Sequence, residues 1–324
     1  MGRDARNLSD VPFDDLYVPA EVGIPFLIRN LDPAGQGGIK GPVRALPQAF
    51  MADANGLRLV LLSEWERRRR PDEFSLSHNG GVYRAALIRT GAAGPDPGVG
   101  WTWCLRRLSA EAFDLDQMGI PKSVTDQVRS LGRERGLILV SGAFGSGKTT
   151  TASSCLLTWV KESREVGVTL EDPPEVPLGH VSETGAIYQV EIPEHDFPAG
   201  VRAARRWAPR YVLLGDVQSP EAAKELLRIS LSGPMVVSTI HASDPVRAII
   251  NLISFASDAM SEDLARDMVA ESIQAVLHQE RRGGRLMARF ASIAGQDDFA
   301  KRNLIRRGRF ELLNEAFGLT VRKS

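Results

Sequence analysis

Gly136-Leu137-Ile138-Leu139-Val140-Ser141-Gly142-Ala143-Phe144-Gly145-Ser146-Gly147-Lys148-Thr149 is the stretch from which the rest of the chain can be read. Residues 136–140 form a short continuous apolar run, as expected of a strand buried on both faces. From Gly142 to Thr149 the sequence fits G-x-x-x-x-G-K-[ST] at every fixed position, and helix-compatible residues follow Lys148. Glycines in such a turn let successive backbone N–H groups point into one concavity that cradles a phosphate. The N-terminus of the following helix adds partial positive charge. Lys148 is placed to hold the β- and γ-phosphates and Thr149 to set its hydroxyl on Mg2+. Gly142, Ala143, Phe144, Gly145, Ser146, Gly147 and Thr150 complete the expected cradle, so ATP and Mg2+ are the expected ligands. The plain alternative is a flexible glycine turn; the lysine, the threonine and the preceding strand argue against it.

Working outward, further apolar runs lie at 166–170, 211–214 and 235–240, with helical text such as 221–231 between them. Strands alternating with helices predict a mostly parallel α/β sheet. Before residue 108 the texture differs. Residues 1–50 are rich in proline and glycine, including the Gly35-Gln36-Gly37-Gly38 tract, and predict loops and short strands. Strand-like runs follow at 74–77, 82–88 and 101–105, separated by glycine- and proline-rich segments, notably 91–100. That pattern suggests a small α+β domain. The expected organisation is an N-terminal α+β domain at 1–107, a linker at 108–117 and a nucleotide-binding α/β domain at 118–324. No internal repeat stands out.

Composition narrows the function classes. The chain has 324 residues, 43% of them apolar and 25% charged, within the ordinary range for globular proteins. Lysine plus arginine equals aspartate plus glutamate at 40 each, so no global field recruits nucleic acid or an anionic membrane. Cys104 and Cys155 cannot build a disulfide framework and suit a reducing compartment. No run approaches the ~18 apolar residues of a membrane span. No apolar segment follows Met1-Gly2-Arg3-Asp4, which reads as no signal peptide. His78, His180, His195 and His278 show no metal-ligand spacing and there is no C-x-x-C, so no zinc is expected. These features predict a cytoplasmic protein whose membrane contacts come only through partners.

Four stretches, in order, resemble the PilT and type II/type IV secretion ATPase superfamily. They are the phosphate loop, the acidic box Thr169-Leu170-Glu171-Asp172-Pro173-Pro174-Glu175, the Walker B-like Arg210-Tyr211-Val212-Leu213-Leu214-Gly215-Asp216, and the His box Ser238-Thr239-Ile240-His241-Ala242. Glu271-Ser272-Ile273-Gln274-Ala275-Val276-Leu277 and Asn303-Leu304-Ile305-Arg306 also read like that family's C-terminal helices. The resemblance is good over 108–324, weaker over 70–107 and nearly absent over 1–60. It implies a RecA-like P-loop NTPase core with a smaller N-terminal α+β domain. It also implies a homo-oligomer, expected as a hexameric ring, working with inner-membrane platform, pilus or secretion proteins.

Hydrolysis needs a carboxylate at the end of a buried strand to orient water or hold Mg2+. Asp216 fits that placement. Glu171, Asp172 and Glu175 lie just past another strand, so Thr149, Glu171, Glu175 and Asp216 are the candidate magnesium set. His241 ends a third strand and could sense the γ-phosphate. An arginine finger can be worth ~10³–10⁵ in rate. By the resemblance, Arg202 and Arg206 match a pair before Walker B, and Arg84 and Arg106 match strand-ending arginines of the N-terminal domain. The run Arg67-Arg68-Arg69-Arg70 reads as a solvated or subunit-facing patch.

Three departures stand out. The resembling family usually carries glutamate at the position of Asp216; the aspartate carboxylate is drawn back by more than ~1 Å, and such a misplacement can cost on the order of 100-fold. The family's arginine two residues later is Gln218 here, followed by Ser219, and its Ala-Ser-Asp-acidic-His start is missing. Hydrolysis is then slow, leans on Glu171 or Glu175, or is absent. A hydrolysing motor, a non-hydrolysing nucleotide-binding regulatory or assembly subunit, and a RecA-like DNA motor are the competing readings; balanced charge weighs against the last.

Overall fold

The computed structural model describes residues 6–11, 13–30, 41–89, 100–108, 112–192, 196–282, 285–293 and 298–318. The 35–38 glycine tract, residues 91–99 and His195, named above, lie outside them. The chain divides into two compact units. One comprises Met1–Glu111 with Glu175–Pro177, the other Ala112–Pro174 with Leu178–Ser324.

The first unit is an antiparallel sheet covered by a helix. Its strands are β1 (Asp15–Pro19), β2 (Leu27–Arg29) and β3 (Arg44–Ala45), then helix α1 (Met51–Arg67), then β4 (Glu73–His78), β5 (Gly81–Arg89) and β6 (Trp101–Arg107). They run in the order β3-β2-β1-β6-β5-β4. Helix α1 is absent from the sequence reading. It buries Ala54, Leu57, Leu61 and Trp65, spaced by three and four residues along one face. Trp65 stands edge-on to Trp101 and Trp103 at 5.2 and 5.6 Å. Its indole N–H donates to the Pro71 carbonyl at 3.0 Å. Arginines 67, 68 and 70 pair with Glu64 and Glu66 of the same helix.

The second unit is the predicted α/β core. Helix α2 (Lys122–Leu131) leads into β7 (Gly136–Gly142) and α3 (Lys148–Ser163). Next come β8 (Val166–Glu171), β9 (His180–Ser182), β10 (Gly185–Glu191), α4 (Phe197–Trp207), β11 (Tyr211–Leu214), α5 (Pro220–Ser230) and β12 (Met235–His241). The chain closes through α6 (Pro245–Ser257), α7 (Glu262–Ser272), β13 (Ile273–Arg282), β14 (Arg285–Ser292), α8 (Asp298–Arg306) and α9 (Phe310–Ala316). The sheet order is β14-β13-β7-β12-β11-β8-β10-β9. Pairing is parallel from β13 to β10 and antiparallel only at the outer pairs β14–β13 and β10–β9.

Every residue of β7 is buried. Leu137 and Leu139 join the core built with α4 to α7, while alternation turns Ile138 and Val140 to the opposite face, so the continuous apolar run is required. Ser219 caps α5 by accepting from the Ala222 amide at 3.1 Å, with Pro220 opening the helix. That gives Ser219 a structural task.

One expectation is corrected. Of residues 271–277 only Glu271 and Ser272 are helical: α7 stops at Ser272 and Ile273 begins β13. Ile273, Ala275, Val276 and Leu277 are fully buried between β7 and β14, where a central strand position outweighs helix propensity. The second stretch, 303–306, does lie in α8. Within 108–117, Leu115 starts a short 3-10 turn, Leu115–Met118, and its amide donates to Thr158 Oγ1 on α3 at 3.3 Å. Among the described residues no helix is long and apolar enough to cross a membrane.

Candidate functional site

Strands β7, β12, β11 and β8 are neighbours, and all four run the same way. Their carboxyl ends therefore deliver the phosphate loop, His241, Asp216 and Glu171 side by side along one edge of the sheet. Adjacent strands are about 4.8 Å apart, so side chains from neighbouring ends can touch. Ligands of open α/β sheets bind at such an edge.

The loop has the backbone a phosphate cradle needs. Gly145 and Gly147 sit at φ +71° and +90°, and a Cβ on Gly145 would meet nothing within 4 Å. Lys148 opens α3 and is 7% exposed. Its ammonium donates across the loop to the Ala143 carbonyl at 3.1 Å and to His241 Nδ1 at 3.3 Å. Buried hydroxyls of Ser146 and Thr151 have no hydrogen-bond partner among the described residues. Left-handed glycines, a buried ammonium at a helix N-terminus and the orphaned Ser146 hydroxyl form a donor-rich pocket that fits a polyphosphate.

His241 links that ammonium to the acidic groups. Its Nε2 lies 3.3 Å from Asp216 Oδ2, and the Phe144 ring stacks on the imidazole at 5.5 Å and 7°. Burial pushes the His241 imidazole below its ordinary value, Lys148 pushes the same way, and Asp216 opposes both. The neutral ring accepts at Nδ1 and presents Nε2–H to Asp216. Asp216 also accepts from Thr239 Oγ1 at 2.8 Å and from Gln218 Nε2 at 2.7 Å. Thr239 escaped the sequence reading as a functional residue, although its signal was there. It precedes His241 by two residues on β12, so both project from one face of the strand.

Glu171 ends β8 at 2% exposure and accepts from Gln189 Nε2 of β10 at 3.3 Å. The Gly215 amide donates to the Leu170 carbonyl at 2.8 Å, and a Cβ on Gly215 would lie 3.5 Å from Glu171 Cα. Glu171 and Asp216 thus leave adjacent strand ends. Glu175 belongs to the first unit, where its carboxylate is ion-paired to Arg84, which also grips Glu73 Oε2 at 2.5 Å. Arg84 and Arg106 face each other across β5 and β6, and Arg106 Nε donates to buried Asp15 at 3.1 Å. Arg202 and Arg206 project from the exposed side of α4.

Among the described residues no group of three or more His, Cys, Asp or Glu is arranged to hold a metal by protein atoms alone. Magnesium commonly takes one or two protein oxygens plus substrate phosphates and water; Thr149, Glu171 and Asp216 beside the cradle suit that donor set.

A cavity of about 620 Å3 opens beside the loop. Phe113, Met118 and Pro121 form one wall, Leu286, Met287 and Arg285 of β14 another, and Ser146, Gly147 and Thr150 the floor. Its apolar walls and phosphate-side floor suit a planar base attached to a phosphate chain.

The model of the family "Type II/IV secretion system protein" matches residues 63–294. The Escherichia coli (strain K12) protein YggR, described as uncharacterized, is 34% identical over 184 residues, 56% of this chain and 54% of that protein. The chain thus spans about half the length of that relative. A Neisseria gonorrhoeae "Twitching motility protein" is 24% identical over 277 residues, 83% of this chain and 71% of that one. The crystal structure of the pilus retraction motor PilT with bound ADP superposes with a TM-score of 0.72 at 22% identity, over 97% of this chain and 88% of that one. That likeness concerns fold: a RecA-like P-loop core with a smaller N-terminal α+β domain.

Proposed function

Because this chain belongs to the Type II/IV secretion system protein family, we propose that it binds ATP at the loop 142–149 and hydrolyses it to drive a pilus, secretion or conjugation machine. The observation that carries this reading is the continuous chain Lys148–His241–Asp216, with contacts of 3.3 and 3.3 Å, beside a glycine loop whose buried Ser146 hydroxyl has no partner among the described residues. Lys148 turns from Ala143 and His241 to the β- and γ-phosphates. His241, relieved of that ammonium, reports the γ-phosphate to Asp216. Asp216 and Glu171 orient the attacking water, and the Thr149 hydroxyl serves as a ligand to the metal. Thr149, Glu171 and Asp216 would hold Mg2+, which would supply positive charge to offset the charge developing on the phosphates. Arg202, Arg206, Arg84 and Arg106 supply positive charge to the transition state, the last two after exchanging their present carboxylate partners. The working form is a homo-oligomer, a hexameric ring, in the cytoplasm and held at the inner membrane by partner proteins. The functional division is an N-terminal domain at 1–107, a linker at 108–117 and the ATPase domain at 118–324.

A second reading, a nucleotide-binding regulatory or assembly subunit without turnover, is favoured by one observation. The Asp216 carboxylate already meets Thr239, Gln218 and His241, which leaves it little freedom to engage water. Phosphate release from Mg-ATP, measured with solution mass for native, Lys148→Ala and Asp216→Glu proteins, separates the two. The motor reading expects an oligomer whose turnover vanishes in Lys148→Ala. Inert native protein that binds ATP and gains activity as Asp216→Glu would decide for the second.

A further inference from the structure

Gln279 of β13 is fully buried, and its side-chain Nε2 donates to the Ser146 carbonyl inside the phosphate loop at 2.6 Å. That carbonyl stands just outside the helix. The first described helical bond of α3 runs from the Thr151 amide to the Gly147 carbonyl at 3.0 Å, so the Ser146 oxygen finds its donor on β13 instead. Within a planar trans peptide the C=O and the following N–H point in opposite directions. A donor that holds the Ser146 oxygen on the β13 side therefore aims the Gly147 N–H the other way, into the concavity.

The strand beneath is held for this task. Gln279 pairs in register with Gly142, where an added Cβ would sit 2.3 Å from the Gln279 carbonyl oxygen. One residue earlier, Ser141 Oγ and His278 Nδ1 lie within 3.0 Å, tying the P-loop strand to β13 by side chains as well. Only glycine at 142 allows β13 so close, and only that approach brings an amide side chain to Ser146.

We infer that Gln279 is a positioning residue, which sets the Ser146–Gly147 peptide so that the Gly147 amide meets the phosphate chain. The inference rests on the nucleotide-binding reading above and adds a residue outside the loop motif. Gln279→Leu removes the donor at similar size, and Gln279→Glu removes it while keeping the side-chain shape. In the full chain, Mg-ATP KM and Kd should rise about three- to tenfold, the effect of one lost hydrogen bond, while kcat at saturating ATP stays within about threefold. The Gly147 amide resonance, followed in glycine-labelled protein before nucleotide is added, should move in both variants. A role in folding alone would lower stability without this split between KM and kcat. Native KM, kcat and Gly147 resonance in a folded variant would overturn the inference and leave the nucleotide site standing. Native protein that binds no ATP would end both.

Discussion

Replacing Thr239 by valine removes one hydroxyl from the site and changes little else, because the two side chains share shape and strand preference. Thr239 is 4% exposed on β12, and its Oγ1 donates to Asp216 Oδ1 at 2.8 Å. A hydrogen bond to a charged group contributes about 1.5–3 kcal/mol, and the position is too enclosed for water to replace the donor readily. The added methyl returns up to about 0.8 kcal/mol of apolar burial, so the net destabilisation should be about 1–2 kcal/mol. The effect on chemistry should be larger. The remaining contacts, Gln218 at 2.7 Å and His241 at 3.3 Å, both fall on Oδ2, so the carboxylate can pivot about them. A displacement near 1 Å at a reacting group can cost on the order of 100-fold. Phosphate release from Mg-ATP should therefore fall about 10- to 100-fold in Thr239→Val, with ATP affinity kept within about threefold and Thr239→Ser restoring most of the rate. Turnover within twofold of native would refute the claim that a fixed Asp216 matters. A tenfold loss of affinity would show that the hydroxyl serves the phosphates instead.

Two further predictions concern stability. Burial holds the His278 imidazole below its ordinary value against the opposing pull of Glu280, so between its folded pKa and about 6.5 the unfolded chain binds more protons than the folded one. Stability should be flat above pH 6.5 and decline as pH falls below it; denaturant unfolding of native and His278→Gln protein checks this, the variant losing part of that slope. A Cβ at Gly132 would sit 2.4 Å from the Trp159 ring, whose indole N–H donates to the Val128 carbonyl at 2.9 Å. Gly132→Ala should cost about 1–3 kcal/mol by overpacking, and an unchanged unfolding midpoint would refute the contact.

The core of the fold was legible because its signals are local. An apolar run, a glycine turn and a lysine within fourteen residues specify strand, loop and helix together, and the strands ending at Glu171, Leu214 and His241 each announce themselves by apolar runs closing on polar residues. Where signals were mixed, the reading failed. Helix α1 has a clear buried face, but Leu59, Val60 and Leu62 on its other sides blur the amphipathic pattern. The run at 273–277 is short enough to suit helix or strand, and it follows α7 with no glycine or proline to mark the change. Contacts between residues distant in sequence were not legible at all. Arg84 meets Glu175, and Arg106 meets Asp15, each across 91 residues, and no spacing rule pairs such groups.

The sheet order also sets a timetable. The phosphate loop is encoded at 142–149, yet the strand that grips it, β13, arrives some 137 residues later, the separation of Ser141 from His278. At roughly 5–20 residues per second of synthesis, a ribosome-bound chain carries the completed glycine-lysine motif for about 6 to 26 s before Gln279 exists. During that interval the nascent protein holds the letters of a nucleotide site without its backbone geometry. Fragments truncated before residue 273 would share that condition permanently, with β7 left bare along the side that β13 covers.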